Sequence, residues 1–203
     1  MGFTARLPRR KRGILMTFEQ YRQEIECTLS PYRAHHSVCV AQEAVRLARR
    51  YGADVQKAQT AGILHDSTKE LPPEEQLQMI EEFGIILSQV EKRSPKLLHA
   101  ISGMAAAQTR FGVSDGEILG AIRYHTTARA GMTLLEKVVC LADYISADRS
   151  YDGVEKLRES AYRDLDGTLI ECLAFTIGEL SQKQSLIHPD TVEAYNSLIL
   201  SRG

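Results

Sequence analysis

The chain has 203 residues, of which 43% are hydrophobic and 25% charged, with a formal net charge of −1. This describes a globular chain with room for one substantial core, and it excludes a disordered protein. So small a net charge also argues against wrapping nucleic acid through a basic face, and leaves an anionic small molecule to be met by local cations.

In chain order, Arg6, Arg9, Arg10, Lys11 and Arg12 precede the short apolar stretch Gly13-Ile14-Leu15-Met16. The stretch is too short for a signal peptide and no small-residue cleavage site follows it. Arg6 stands where a myristoylation signal needs Ser or Thr. Residues 1–15 are therefore expected to be a flexible basic extension, with one domain over 16–203. From there the 3.6-residue apolar period recurs over roughly 17–29, 32–51, 54–66, 74–82, 96–110, 115–126, 133–147, 154–162, 164–182 and 190–201. Thr17 with Gln20, Ser114 with Glu117, and Thr133 with Glu136 fit the capping box. Gly52, Pro72-Pro73, Gly84, Gly112, Gly131 and His188-Pro189 supply stops. No segment alternates with a period of two. The fold expected is all-α, a single-domain helical bundle.

No apolar run approaches the ~18 residues of a membrane span, so no membrane association is expected. Cys27, Cys39, Cys140 and Cys172 form no CxxC pair and fall among helical residues. They read as small buried hydrophobes of a reducing, cytoplasmic compartment.

The chemistry lies in polar residues on apolar stripes. His36 precedes Val40, Ala44 and Leu47 on one face; Val55, Ala58 and Ala61-Gly62 lead to His65-Asp66. Ile118 and Ile122 lead to His125, Leu135 and Val139 to Asp143, and His99 shares a face with Gly103 and Ala106. Residues at i and i+4 stack on one helix face, so all six should point inward. A lone inward histidine is usually a satisfied core residue. Six such groups in one core would need six separate accommodations, whereas one metal cluster accounts for them together. His35 falls on the side of Cys39 and Gln42, and His188 precedes Pro189 and a new helix. Neither is expected to be a ligand.

Imidazole and carboxylate without thiolate suit iron, manganese, zinc or magnesium. Six ligands exceed what one catalytic metal with an open position uses. Two metals sharing Asp66 fit better, with His36, His65 and Asp143 on the first and His99 and His125 on the second. Such a pair lowers the pKa of bound water and clamps the oxygens of a phosphoryl displacement. The chain has no GxSxG, Walker or GxGxxG motif that would offer a different chemistry. Candidate phosphate-binding groups are Lys69, four residues after His65; Arg123, Tyr124, Thr126, Thr127 and Arg129 around His125; and Tyr144 and Arg149 after Asp143.

The set His36, His65-Asp66 and Asp143 resembles the HD-domain superfamily of metal-dependent phosphohydrolases. The segments His65-Asp-Ser-Thr-Lys-Glu-Leu-Pro72, Ala121-Ile-Arg-Tyr-His-Thr-Thr127, Leu134-Leu-Glu-Lys137, Leu141-Ala-Asp-Tyr-Ile145 and Ile187-His-Pro-Asp-Thr191 are similar to the YqeK family of bacterial symmetrical bis(5′-nucleosyl)-tetraphosphatases. The likeness runs from about residue 17 to 201; His35 and the residues before Met16 depart from it. It implies a helical HD fold, a binuclear centre with iron (manganese an alternative), and cleavage of diadenosine tetraphosphate into two ADP. Asp66 and Lys69 would be the catalytic groups. Dinucleoside polyphosphate and nucleoside diphosphate are the implied partners, and a homodimer is left open. The runners-up are another HD nucleotide phosphohydrolase, such as a nucleotidase or cyclic-dinucleotide phosphodiesterase, and a non-catalytic nucleotide-binding module.

Overall fold

Thr17 opens the first helix, α1 (Phe18–Thr28), by a reciprocal cap: its hydroxyl accepts the Gln20 N–H, and the Gln20 side chain accepts the Thr17 N–H. The structure is a computed structural model that describes residues 16–202, so the expected basic extension lies outside the described residues. Ser30 caps α2 (Pro31–Tyr51), with Pro31 at the first position, where its missing N–H costs nothing. Gly52 ends α2 in the left-handed region at φ 81°, which lets its N–H close on the Ala48 carbonyl at 2.8 Å. There follow α3 (Val55–Leu64), α4 (Pro73–Glu82), α5 (Gln89–Lys92), α6 (Pro95–Thr109), α7 (Gly116–Tyr124), α8 (Leu134–Ile145), α9 (Val154–Ala161), α10 (Leu165–Gln182) and α11 (Pro189–Leu200). Among the described residues there is no strand, and no helix is long and apolar enough to cross a membrane.

Four details differ from the sequence expectation. The cap of α7 is Asp115, not Ser114: its carboxylate accepts the N–H groups of Glu117 and Ile118. The four-residue α5, with a capping box of Ser88 and Glu91, is too short to show a period. Cys27 is exposed rather than buried, although all four cysteines are free thiols. Finally, α3 stops at Leu64 and α7 at Tyr124, earlier than periodicity suggested. His65-Asp66 and His125 therefore lie at helix ends.

The core is built where α2, α3, α7 and α8 meet, with α10 and α11 closing one side. Val40, Ala44 and Leu47 face Ala61, Ile63, Leu64, Ala121, Ile122, Val139 and Leu141 in one fully buried cluster. Alanines dominate the α2–α3 seam because the helices approach closely there. A Cβ added to Gly62 would lie 2.7 Å from Ala41 Cα and 3.0 Å from its N, so only glycine fits without moving backbone.

Gly62→Ala should therefore cost about 1–3 kcal/mol as overpacking, or roughly 2–12 °C in Tm for a domain of this size. Gly178→Ala is the control, since nothing lies within 4 Å of a Cβ there; it should stabilise α10 by up to ~1 kcal/mol. Calorimetric melts of both variants beside the parent protein decide the point.

Candidate metal centre

Five helices deliver six side chains to one buried point. His36 comes from the second turn of α2, His99 from near the start of α6, and Asp143 from the last turn of α8. His65 and His125 are the C-cap residues of α3 and α7. Beyond α3 the chain coils through successive tight turns, Ser67 N–H to Leu64 O, Lys69 N–H to Asp66 O and Leu71 N–H to Thr68 O. The Thr68 hydroxyl ties this segment to α6 by donating to the His99 carbonyl at 3.0 Å. Gly103 permits the approach, since a Cβ there would sit 3.3 Å from the His65 carbonyl oxygen.

Asp66 stands in the middle, 2% exposed. Its Oδ2 lies 3.6 Å from His65 Nε2 and 4.0 Å from His36 Nε2. Its Oδ1 lies 3.2 Å from His99 Nε2 and 3.6 Å from His125 Nε2. Asp143 Oδ1 completes the first group, 3.0 Å from His36 Nε2 and 3.9 Å from His65 Nε2. One carboxylate thus divides four imidazoles into two pairs.

The orientation of the rings fixes their lone pairs. His65 Nδ1 donates to the Gly62 carbonyl at 2.7 Å, and His125 Nδ1 to the Ile122 carbonyl at 2.7 Å. A carbonyl only accepts, so each ring carries a proton on Nδ1 and turns its Nε2 inward. His36 Nδ1 likewise donates to an acceptor, Asp148 Oδ2 at 2.8 Å, and turns Nε2 inward. Burial pushes His65 and His99 down to about 4, so both are neutral at pH 7. Burial alone would raise Asp66, but His65, His125, His99 and Lys69 outweigh it and keep the carboxylate ionised.

Imidazole Nε2 atoms therefore face carboxylate oxygens in a buried setting. His65 Nε2 and Asp66 Oδ1 are buried there without a hydrogen-bond partner, which is costly unless a cation lies between them. The donor set has nitrogen and oxygen but no sulfur, and it fits divalent ions. His36, His65 and Asp143 form one group whose ligand atoms lie close enough to share an ion; His65, Asp66 and His125 form another.

Three cations line the same centre. Arg33 Nη1 donates to Asp66 Oδ2 at 2.7 Å, and Arg149 pairs with Asp143 Oδ1 while its Nε donates to the Asp143 carbonyl at 2.8 Å. Lys69 Nζ lies 3.0 Å from His99 Nε2 and 3.8 Å from Asp66 Oδ1. It arrives by the tight turns, not by the extended helix that its spacing from His65 suggested. Most of the other predicted phosphate groups have partners of their own. Arg123 pairs with Glu91 and Arg129 with Glu136, while both guanidiniums lie over the Tyr124 ring at 5.2 and 5.1 Å. The Tyr144 hydroxyl meets Thr176 Oγ1 at 2.8 Å. The Thr127 hydroxyl donates to the Ala128 carbonyl at 3.0 Å, and Thr126 Oγ1 is buried without a partner.

His35 is exposed, with Cys39 Sγ 3.4 Å from its Nε2, while His188 caps α11 by accepting the Asp190 N–H. The sequence places Asp148 close after Asp143 but assigns no role to it or to Arg33. Arg33, three residues before His36 and so on its helical side, carried a usable signal; Asp148 lies in the loop after α8 and carried none.

Residues 33–148 match the HD domain family model, a span that contains all six side chains. The chain is 40% identical over 180 residues to a symmetrical bis(5′-nucleosyl)-tetraphosphatase of Halalkalibacterium halodurans, covering 89% of this chain and 96% of that one. It is 42% identical over 171 residues to the enzyme of the same description from Bacillus subtilis, covering 84% and 91%. A crystal structure of a predicted HD superfamily hydrolase involved in NAD metabolism, from Clostridium acetobutylicum, superposes with a TM-score of 0.90 at 36% identity, covering 94% of this chain and 100% of that one. With the helices, the histidine-aspartate cluster and these relatives in agreement, the chain belongs to the HD domain family, among the symmetrical bis(5′-nucleosyl)-tetraphosphatases.

Proposed function

We propose that this protein hydrolyses dinucleoside tetraphosphates, diadenosine tetraphosphate foremost, symmetrically into two ADP. The observation that carries the reading is the Asp66 carboxylate, each oxygen of which faces a separate imidazole pair. In this reading His36, His65 and Asp143 hold one divalent ion, His99 and His125 hold another, and Asp66 is shared. Iron is the metal proposed, with manganese able to use the same donors. When bound, such ions activate water at neutral pH and offset phosphate charge.

The chain's own groups supply the rest. Arg33, Lys69 and Arg149 now answer the charges of Asp66, Asp143 and Asp148, so the side chains nearly cancel. With those carboxylates holding divalent ions, Arg33 and Arg149 would be available to pair with the oxygens of a polyphosphate bridge. Burial lowers the Lys69 pKa although Asp66 opposes it, so Nζ is suited to hand a proton to the departing ADP oxygen. Thr126, with a buried and unpartnered hydroxyl, is the hydroxyl assigned to a phosphate in this reading; Arg123, Tyr124, Thr127, Arg129 and Tyr144 would have to exchange present partners or neighbours to serve. The four free thiols fit a cytoplasmic enzyme.

Product identification tests the reaction. Metal-loaded protein given diadenosine tetraphosphate should yield ADP alone, and AMP with ATP would refute symmetric cleavage. The panel should include a mononucleotide, a cyclic dinucleotide and NAD, the last because the solved relative is described as involved in NAD metabolism. Faster turnover of any of these would move the assignment to another HD phosphohydrolase, and tight nucleotide binding without hydrolysis would indicate a binding module.

Substitutions test the roles. Asp66→Ala should abolish turnover and metal content measured by mass spectrometry. His35→Ala should leave both close to the parent values. Lys69→Met should lower kcat by roughly 10²–10⁴-fold if Nζ is the proton donor; a change confined to KM would make it a binding group only.

A further inference from the structure

The four imidazoles of the centre differ at the nitrogen turned away from it. His65 and His125 back onto neutral carbonyls. His36 backs onto a carboxylate, Asp148 Oδ2 at 2.8 Å, and the other Asp148 oxygen is pinned by the Ser146 hydroxyl at 2.7 Å. His99 has no acceptor at Nδ1 among the described residues; the Lys69 ammonium lies beside the ring, 3.3 Å from Nδ1 and 3.0 Å from Nε2.

These differences bear on ligand strength. A carboxylate behind an imidazole draws on the Nδ1 proton, fixes the ring and makes Nε2 a better donor to a metal. A carbonyl does this less, and a cation beside the ring acts in the opposite sense. The pole formed by His36 and His65 also owns Asp143, whereas the pole formed by His99 and His125 has only its share of Asp66.

We infer that Asp148 is a positioning residue that makes the His36 pole the tighter of two unequal metal positions, with the His99 pole the exchangeable one. The inference rests on the metal-centre reading above. Asp148 does not itself face the shared carboxylate; it acts through His36, and its buried side chain (8% exposed) is held for that task.

The test is a manganese titration of the full chain after removal of metal by chelation, read by the paramagnetic resonance signal of free manganese. The parent protein should show two binding steps of distinct affinity. Asp148→Ala should weaken the tighter step by about 10–100-fold while leaving the weaker one within about twofold. Asp148→Asn, nearly isosteric and still able to accept from Nδ1, should fall between the two and guards against a folding defect in the alanine variant. Two equal steps in the parent, equal weakening of both steps in the variants, or no change in either variant would overturn the inference alone. Absence of any bound manganese in the parent would overturn the metal-centre reading and the inference with it.

Discussion

A carboxylate sealed among four imidazoles is the constraint to which the rest of this molecule answers. Moving a carboxylate from water into a low-dielectric interior costs of the order of 20 kcal/mol in the idealised limit and several after relaxation. Asp66 is nevertheless 2% exposed and ionised. Its charge is met by Arg33 at 2.7 Å and approached by Lys69 at 3.8 Å, but one of its oxygens has no hydrogen bond. A fold that only needed stability would place a leucine there. That oxygen, facing the Nε2 atoms of His99 and His125 at 3.2 and 3.6 Å, is intelligible as half of a cation site.

Helix ends solve the problem of aiming. Where α3 and α7 stop, the last carbonyls lack helical partners, and the C-cap imidazoles His65 and His125 turn back to accept that role, each donating Nδ1–H to a carbonyl three residues earlier. One interaction thus satisfies an orphan acceptor, selects a tautomer and points a lone pair at the centre. The same two termini carry the negative ends of the helix dipoles, which favour a cation. Placing the ligands mid-helix would forfeit all three effects, which is why the early stops at Leu64 and Tyr124 matter.

Much of this was legible in the chain. The i, i+4 relation of His36 to Val40, of Ile118 and Ile122 to His125, and of Leu135 and Val139 to Asp143 states which way each residue faces, because helix geometry is local. Where local geometry gives out, so does the reading. Lys69 reaches His99 through tight turns that periodicity does not encode, and Asp148 reaches His36 across more than a hundred residues of sequence. Arg123 and Arg129 stand beside His125 in sequence, yet Glu91 and Glu136 hold them. Ser114 and Asp115 show the finer limit: both residues cap well, and only the conformation of the turn decides between them.

Packing and chemistry meet most directly at Gly62. Its missing side chain allows α2 to lie against α3, with Ala41 backbone where a methyl would be. Its carbonyl holds the His65 ring at 2.7 Å, and α2 carries both Arg33 and His36 to the other side of Asp66. A shift of α2 by even a few tenths of an ångström would therefore move a ligand, a counter-ion and a tautomer-setting acceptor together. Ile122, which plays the carbonyl part for His125, contributes a buried side chain to the core and couples the second imidazole pair to packing in the same way. Stability and cation affinity are thus properties of the same contacts, and loosening the α2–α3 seam should weaken both at once.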